Sequence, residues 1–396
     1  MLIQLSRFKH VILKRQCFEC SVFLFVLSFL LGAVKSTDPY CDSGYLNEMV
    51  FSLSGCNLDW PDAKFKCEYI ASGKYKGTDI IHTRFQMCGD KTILLQPKYR
   101  PGVPFSVGQI CLKSNMKCNP CITPYPCWSL HDPCSCEAIV NAVDLYLDCK
   151  GIVWFLDVGI VNTLEAPEKK CGPKVLGVHC ESGKVVSVIE LCSLVCSTSR
   201  LQYIVVDYND DGYPIVMVSD GGSRAILVWN TMTNEGYRVQ LPKAVLAGGG
   251  KRDVLYIILV RRGCGSNFLY FSYLSSDHMF YVKSNCLHQK TKTGCVMDVG
   301  KKPNKIVLLG TDNGQVIFFR LCNENNIYMW DTNLAFKEYN FILAQKPLDC
   351  RIPTHVAAGY RRLVWVLESN FQDYIQNCVG CLGASSRLHP IIKPNE

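Results

Sequence analysis

Acidic residues close several of the apolar stretches in this sequence. Asp157, Asp207, Asp220, Asp312 and Glu368 each lie at or beside the end of a run rich in Val, Ile and Leu. If these ends meet on one face of the fold, the carboxylates can hold a cation, bind an amine or move a proton. The alternative is local, because Asp before Gly stabilises the bend that follows a strand. Both interpretations stay open. Our candidate channel or ligand residues are Asp157, Asp220, Asp312 and Glu368.

Cysteines are the second group with chemical potential. Two of the 24 lie within residues 1–36, which leaves an even number of 22. The pairs at 118–121 and 378–381 have the two-residue spacing of zinc ligands. In an oxidising compartment the same cysteines form disulfides instead. We expect disulfides and no metal, and the candidate disulfide cysteines are Cys136, Cys149, Cys171, Cys180, Cys378 and Cys381.

Familiar catalytic and cofactor motifs are absent from the sequence. It contains no HExxH, GxSxG, Walker or GxGxxG pattern, and the GGGK stretch at 248–251 lacks the spacing of a phosphate loop. We therefore expect no cofactor and assign no catalytic residue. His131 and His355 are expected to be packed histidines rather than bases.

The elements that must position these residues are strands. Short runs of Val, Ile, Leu, Tyr and Phe are separated by turn sequences such as NDDG, TNEG and DNG. Clusters of such runs begin near residues 85, 151, 214, 268, 305 and 363, about 40 to 65 residues apart. Blades of a β-propeller repeat at a similar interval. The pattern predicts an all-β fold, a β-propeller of about six blades, with a large sandwich or two barrels as alternatives.

The N-terminus predicts secretion. Residues 1–36 combine a basic start with an apolar run at 22–34 and small residues before Thr37, as in a signal peptide. The run is shorter than the ~20 residues that span a bilayer. Half of the net charge of +8 falls in this segment, so the remainder has too little basic excess to favour nucleic acid.

Four segments together resemble the yellow and major royal jelly protein family. They are LDWPDAKFKCEYIASGKYKGTDI (58–80), LQPKYRPGVPFSVG (95–108), YPCWSLHDPCSCEAIVNAVDLYLDCKGIVWFLDVG (125–159) and KKCGPKVLGVHCESGKVV (169–186). They occur in family order, and the resemblance runs from about Tyr45 to Pro390. It implies a secreted, disulfide-rich, six-bladed β-propeller.

The domain organisation expected from this resemblance has four parts. They are a signal peptide at 1–36, a cysteine-containing N-terminal segment at 37–80 that packs on the propeller, the propeller itself at 81–390, and a tail at 391–396.

Other segments resemble the yellow-g branch, which is associated with the insect eggshell. They are SRLQYIVVDYNDDGYPIVMVSDGG (199–222), VGKKPNKIVLLGTDNGQ (299–315) and IYMWDTNLAFKEYNF (327–341). This likeness implies an extracellular protein that forms or hardens the vitelline membrane or chorion, with matrix proteins as partners and no membrane attachment after signal cleavage. We expect a structural or binding protein rather than an enzyme. The alternatives are a dopachrome-converting enzyme of the melanin pathway and a binder of small molecules such as biogenic amines.

Overall fold

The apolar runs of the sequence form strands that pair with their neighbours in the chain. A computed structural model describes residues 49–246, 253–262, 267–288, 295–381 and 383–391. The predicted signal peptide, residues 37–48, the GGGK stretch and all of the predicted tail except Ile391 lie outside the described residues. The chain divides into units 1–41 and 42–396, and every described residue belongs to the second.

The N-terminal part of the described chain contains one strand and one exposed helix. These are β1 (Phe51–Ser54) and α1 (Ala63–Ala71). The helix begins after Asp62, whose carboxylate accepts the N–H of Phe65 at 2.7 Å and so caps the first turn.

Four sheets each have four antiparallel strands. The first holds β2 (Arg84–Cys88), β3 (Lys91–Leu95), β4 (Val107–Cys111) and β5 (Thr123–Pro124). The second holds β6 (Ala142–Leu147), β7 (Ile152–Asp157), β10 (Lys174–His179) and β11 (Val185–Glu190), with β8 (Ile160–Val161) and β9 (Glu168–Lys169) forming a separate pair. The third holds β12 (Leu201–Tyr208), β13 (Pro214–Asp220), β14 (Ala225–Asn230) and β15 (Glu235–Gln240). The fourth holds β16 (Leu255–Arg261), β17 (Asn267–Tyr273), β18 (His278–Lys283) and β19 (Met297–Lys301), with α2 (Ser284–Leu287) between its last two strands.

An eight-stranded sheet contains two further units of four. One is β20 (Ile306–Thr311), β21 (Val316–Leu321), β22 (Ile327–Asp331) and β23 (Phe341–Gln345). The other is β24 (Ile352–Ala358), β25 (Val364–Ser369), β26 (Ser385–Pro390) and β1, with α3 (Phe371–Ile375) after β25. The two units join through a short parallel pairing of β20 with β24. The close approach requires glycine at residue 310, because a Cβ there would lie 1.8 Å from the carbonyl oxygen of Val356.

The first strands of successive units contact one another. β2 contacts β6, β6 contacts β12, β12 contacts β16, β16 contacts β20 and β20 contacts β24. β24 then contacts β2, so the series returns to its start. The N-terminal strand β1 pairs with β26 along Phe51–Ser54, so the N-terminal segment supplies a strand to the last unit.

The core lies between the faces of adjacent sheets. Trp154 of β7 packs among apolar residues of the second and third sheets and is 2% exposed. Trp365 of β25 packs between the last unit and the first sheet, beside Phe51 and Phe85. The two Val-Trp strands of the sequence, IVWFLD and VWVLES, are therefore the second strands of two different units.

The prediction of an all-β fold is confirmed, since the helices of the described chain are few and short. Within the described residues, no helix has the length and apolar character needed to cross a membrane.

Candidate functional site

The four acids singled out in the sequence lie in four different units of the fold. Asp157 ends β7, Asp220 ends β13, Glu368 precedes the last residue of β25, and Asp312 follows β20. None of them lines either of the two cavities described below. The carboxylates of Asp157, Asp220 and Asp312 contact parts of their own units, and Glu368 also contacts the unit before its own.

Asp157 binds backbone and one buried cation. Its carboxylate accepts the N–H groups of Val140 at 2.8 Å and of Asn141 and Gly159 at 2.9 Å. Lys174 Nζ lies 3.0 Å from Asp157 Oδ2, and both side chains are at most 1% exposed. The carboxylate therefore fastens the segment that leads into β6.

Asp220 has the corresponding position in the third sheet. It accepts the Ser199 hydroxyl at 2.6 Å and the N–H of Arg200 at 2.7 Å, just before β12. Burial alone would raise the pKa of Asp220, but hydrogen bonds from the Ser199 and Ser223 hydroxyls hold it below its usual value. In both units, the acid at the end of the second strand therefore binds the backbone that leads into the first strand.

Asp312 has partners within its own unit, whereas Glu368 also binds Gln345 at the end of β23 in the neighbouring unit. Asp312 Oδ1 accepts the N–H of Gly314 at 2.8 Å and of Val316 at 3.1 Å in the turn after β20. Glu368 accepts the Gln345 amide at 3.0 Å, and its other oxygen lies 3.3 Å from His389 Nε2. All four carboxylates are thus engaged by the fold.

Three of the six candidate disulfide cysteines are bonded in the structure. Cys136 pairs with Cys171, and Cys180 pairs with Cys88, which the sequence did not single out. Cys149, Cys378 and Cys381 instead carry free, exposed thiols. Cys118 is also disulfide-bonded. Among the described residues, no group of three or more potential ligands could hold a metal ion.

Both histidines named in the sequence are buried. His131 Nε2 lies 2.9 Å from the carbonyl oxygen of Tyr125, and burial lowers the pKa of His131 to about 4. His355 Nδ1 accepts the N–H of Phe85 at 3.3 Å, and burial lowers its pKa well below the usual value. Both are neutral at physiological pH and serve packing.

The main cavity of the described chain lies where the first strands begin. Its volume is about 760 Å³, and all six first strands contribute to its walls, by their opening residues or those just before them. The side chains that give it chemical character are Arg84, Tyr99, Tyr203, Tyr256, Arg320 and Phe371. The sequence pattern did not indicate that these residues meet at one site.

A stacked aromatic pair forms one part of the wall. The rings of Tyr203 and Tyr256 are 5.1 Å apart at 29°, and the Arg84 guanidinium lies 4.8 Å from the Tyr203 ring centre. Burial raises the pKa of both tyrosines, so the phenols are neutral. Rings and a guanidinium together suit a flat ligand.

A buried acid lies below this wall. Asp144 Oδ1 is 3.6 Å from Arg84 Nε, and Asp144 Oδ2 accepts the N–H of Ile204 at 2.8 Å. Burial raises the pKa of Asp144 to about 6, against the opposing effect of Arg84. Asp144 also lines a second, smaller cavity of about 70 Å³.

The exposed thiol of Cys196 lines this cavity. The Ser199 and Thr198 hydroxyls, 3.5 and 3.2 Å from Cys196 Sγ, lower the pKa of the thiol to about 7. A substantial fraction is therefore thiolate at neutral pH, the form that acts as a nucleophile.

The chain is similar to the proteins of one family. The model for the major royal jelly protein family matches residues 140–383. Protein yellow of Drosophila guanche is 22% identical over 377 residues, which cover 88% of this chain and 66% of that protein. Major royal jelly protein 6 of Apis mellifera is 25% identical over 292 residues, covering 68% and 65% respectively. The chain thus spans slightly less than two thirds of the length of these relatives.

Solved structures give more distant matches. An α-L-arabinanase from Penicillium chrysogenum aligns with a TM-score of 0.46 and 11% identity, covering 81% of this chain and 96% of that one. A luciferin-regenerating enzyme aligns with a TM-score of 0.44 and 9% identity, covering 82% and 94%.

The contacts of Asp157 generate a stability prediction. Asp157→Ala leaves the buried Lys174 cation without its carboxylate, and we expect a loss of about 3 to 5 kcal/mol in unfolding free energy. Asp312→Ala, which removes only turn hydrogen bonds, should cost about 1 kcal/mol. Urea unfolding followed by tryptophan fluorescence measures both, and Asp157→Ala/Lys174→Met should recover part of the loss. Equal costs for the two single variants would contradict this role.

Proposed function

The chain belongs to the major royal jelly protein family, and from this we propose that it is a secreted six-bladed β-propeller that binds a small aromatic molecule in its main cavity. The proposal has two parts, the architecture and the ligand, which rest on different observations.

The arrangement of the sheets supports the architecture. Six four-stranded units follow one another, and their first strands form a series that returns to its start. Such radial repetition leaves only short sheet edges exposed. The relatives, the disulfides and the apolar N-terminal segment support secretion.

The single observation that carries the ligand proposal is the cavity with its stacked tyrosines. Ligand pockets of proteins have volumes of about 300 to 1,000 Å³ and mostly apolar or aromatic walls with a few polar groups. The cavity of about 760 Å³ has this size and, with Tyr203, Tyr256 and Phe371 beside Arg84, this chemistry. An aromatic ring can lie against the tyrosine pair while polar groups reach the guanidinium.

A panel of small phenols tests the ligand proposal. We expect saturable binding of at least one of tyrosol, tyramine and 4-hydroxyphenylacetate, one molecule per chain, in calorimetric titration of the secreted protein. Tyr256→Ala removes one ring of the pair and should weaken binding ~3- to 10-fold, from the energy of one aromatic contact. The control is Tyr339→Ala, whose side chain is 81% exposed and outside the cavity. If no phenol binds, or if both variants behave alike, the ligand proposal is wrong.

We place this binding protein in an extracellular coat, the insect eggshell, with matrix proteins as partners. The support is the likeness to the yellow-g branch together with the many exposed thiols and the 19 tyrosines, which permit covalent links. An antibody against the protein should label follicle cells late in egg formation and then the vitelline membrane or chorion. Label confined to other tissues would contradict the coat role.

One observation favours an enzyme as the second candidate. Asp144, with its pKa raised to about 6 and its position beside Arg84 below the cavity, suits a general base in dopachrome conversion. The binding proposal expects the protein to leave the decay of dopachrome absorbance at its spontaneous rate. Accelerated decay that disappears in Asp144→Asn but persists in Asp220→Asn would establish the second candidate instead.

A further inference from the structure

The main cavity carries an imbalance of charge. Four cationic side chains line it, namely Arg84, Lys169, Arg200 and Arg320. None of the described residues that line it is Asp or Glu. A ligand in this space therefore meets positive charge in a region partly shielded from water, where electrostatic interactions are strong.

Arg84 has a neighbouring acid outside the main cavity. Its guanidinium pairs with Asp144, which lines only the smaller cavity, at 3.6 Å. The positive charge of Arg84 is therefore partly neutralised. The excess positive charge of the cavity walls therefore comes from the other lining cations.

Arg320 is the deepest cation without an acid. Its side chain is 9% exposed, and it donates from Nε to the carbonyl of Pro353 at 3.1 Å and from Nη1 to the carbonyls of Leu321 and Cys322 at 3.2 and 3.0 Å. No carboxylate of the described chain lies within ion-pair distance of it. Its Nη2 has no hydrogen-bond acceptor among the same residues.

A buried cation without a counter-charge is unfavourable. Removing such a group from water costs several kcal/mol unless an opposite charge or full hydrogen bonding replaces the water. The backbone carbonyls bind two of the three guanidinium nitrogens and leave the third, Nη2, to solvent or a ligand. An anion at Nη2 completes the set with a charge-assisted hydrogen bond.

We infer that the ligand of this cavity is a small aromatic anion, whose carboxylate or similar group binds Arg320 and whose ring lies against Tyr203 and Tyr256. The inference rests on the proposed binding function and defines its ligand class. Its charge is opposite to that of the amines that the family resemblance suggests. Arg320 is then the residue that determines specificity.

Three phenols that share the same ring but differ in charge show whether the charge of the ligand determines its affinity. 4-Hydroxyphenylacetate is an anion, tyrosol is neutral and tyramine is a cation. We expect the anion to bind ~10-fold or more tighter than tyrosol, from one charge-assisted hydrogen bond, and tyramine to bind weakest. Calorimetric titration of the full secreted chain at pH 7 and low salt measures all three.

Variants of Arg320 assign the preference. Arg320→Gln should reduce the affinity for 4-hydroxyphenylacetate to that for tyrosol while tyrosol binding stays unchanged, which also shows that the cavity is folded. Arg320→Lys keeps the charge and should retain part of the preference. Lys337→Gln, an exposed lysine outside the cavity, should behave as the unmodified protein.

The outcomes are distinguishable. Tightest binding of tyramine overturns the inference but leaves the binding function standing, and so does an equal affinity for all three probes. Preference for the anion that persists in Arg320→Gln overturns the role of Arg320. Absence of binding by every probe overturns both the inference and the proposed function.

Discussion

One carboxylate ties three sheets together at the centre of the fold. Asp144 belongs to β6, pairs with Arg84 of β2 and accepts a backbone N–H from Ile204 of β12. Because buried charges are stable only when paired and hydrogen-bonded, this contact requires the three first strands to hold their relative positions. The stacked tyrosines and Arg84 acquire their geometry from that constraint, and the walls of the main cavity follow from it.

The acids of this protein have different structural roles. Asp157 and Asp220, at the ends of second strands, bind the backbone that leads into first strands. Neither of them lines the main cavity. A wall without acids is what leaves the positive charge of Arg320 available for a ligand. The same arrangement thus places the structural acids outside the main cavity and leaves a cation without a carboxylate partner on its wall.

The sequence predicted the features that repeat along the chain, but it did not predict the contacts that occur only once. The strand clusters, the repeated Val-Trp strands and the family could be predicted because apolar runs and turn residues repeat along the chain. The acids after those runs were recognised, but their partners lie on loops and strands elsewhere in the chain, and for Glu368 partly in the neighbouring unit. The cavity residues escaped because Arg84, Tyr203 and Tyr256 sit in first strands far apart in sequence and meet only when the series of strands closes. A charged residue opening an apolar strand, as Arg84 does in β2, was the signal present in the sequence. Cys88 illustrates the same limit, since its partner Cys180 is 92 residues away.

The pairing of β1 with β26 has a consequence for biogenesis. β1 is the first strand of the described chain to be synthesised and β26 is the last, so β1 stays without its partner until β26 has been made. The strands of the other five units are all present in the chain before β26 has been made. A chain truncated before Ser385 lacks β26 and leaves β1 without a strand to pair with, so the last unit is complete only when both ends of the described chain are present.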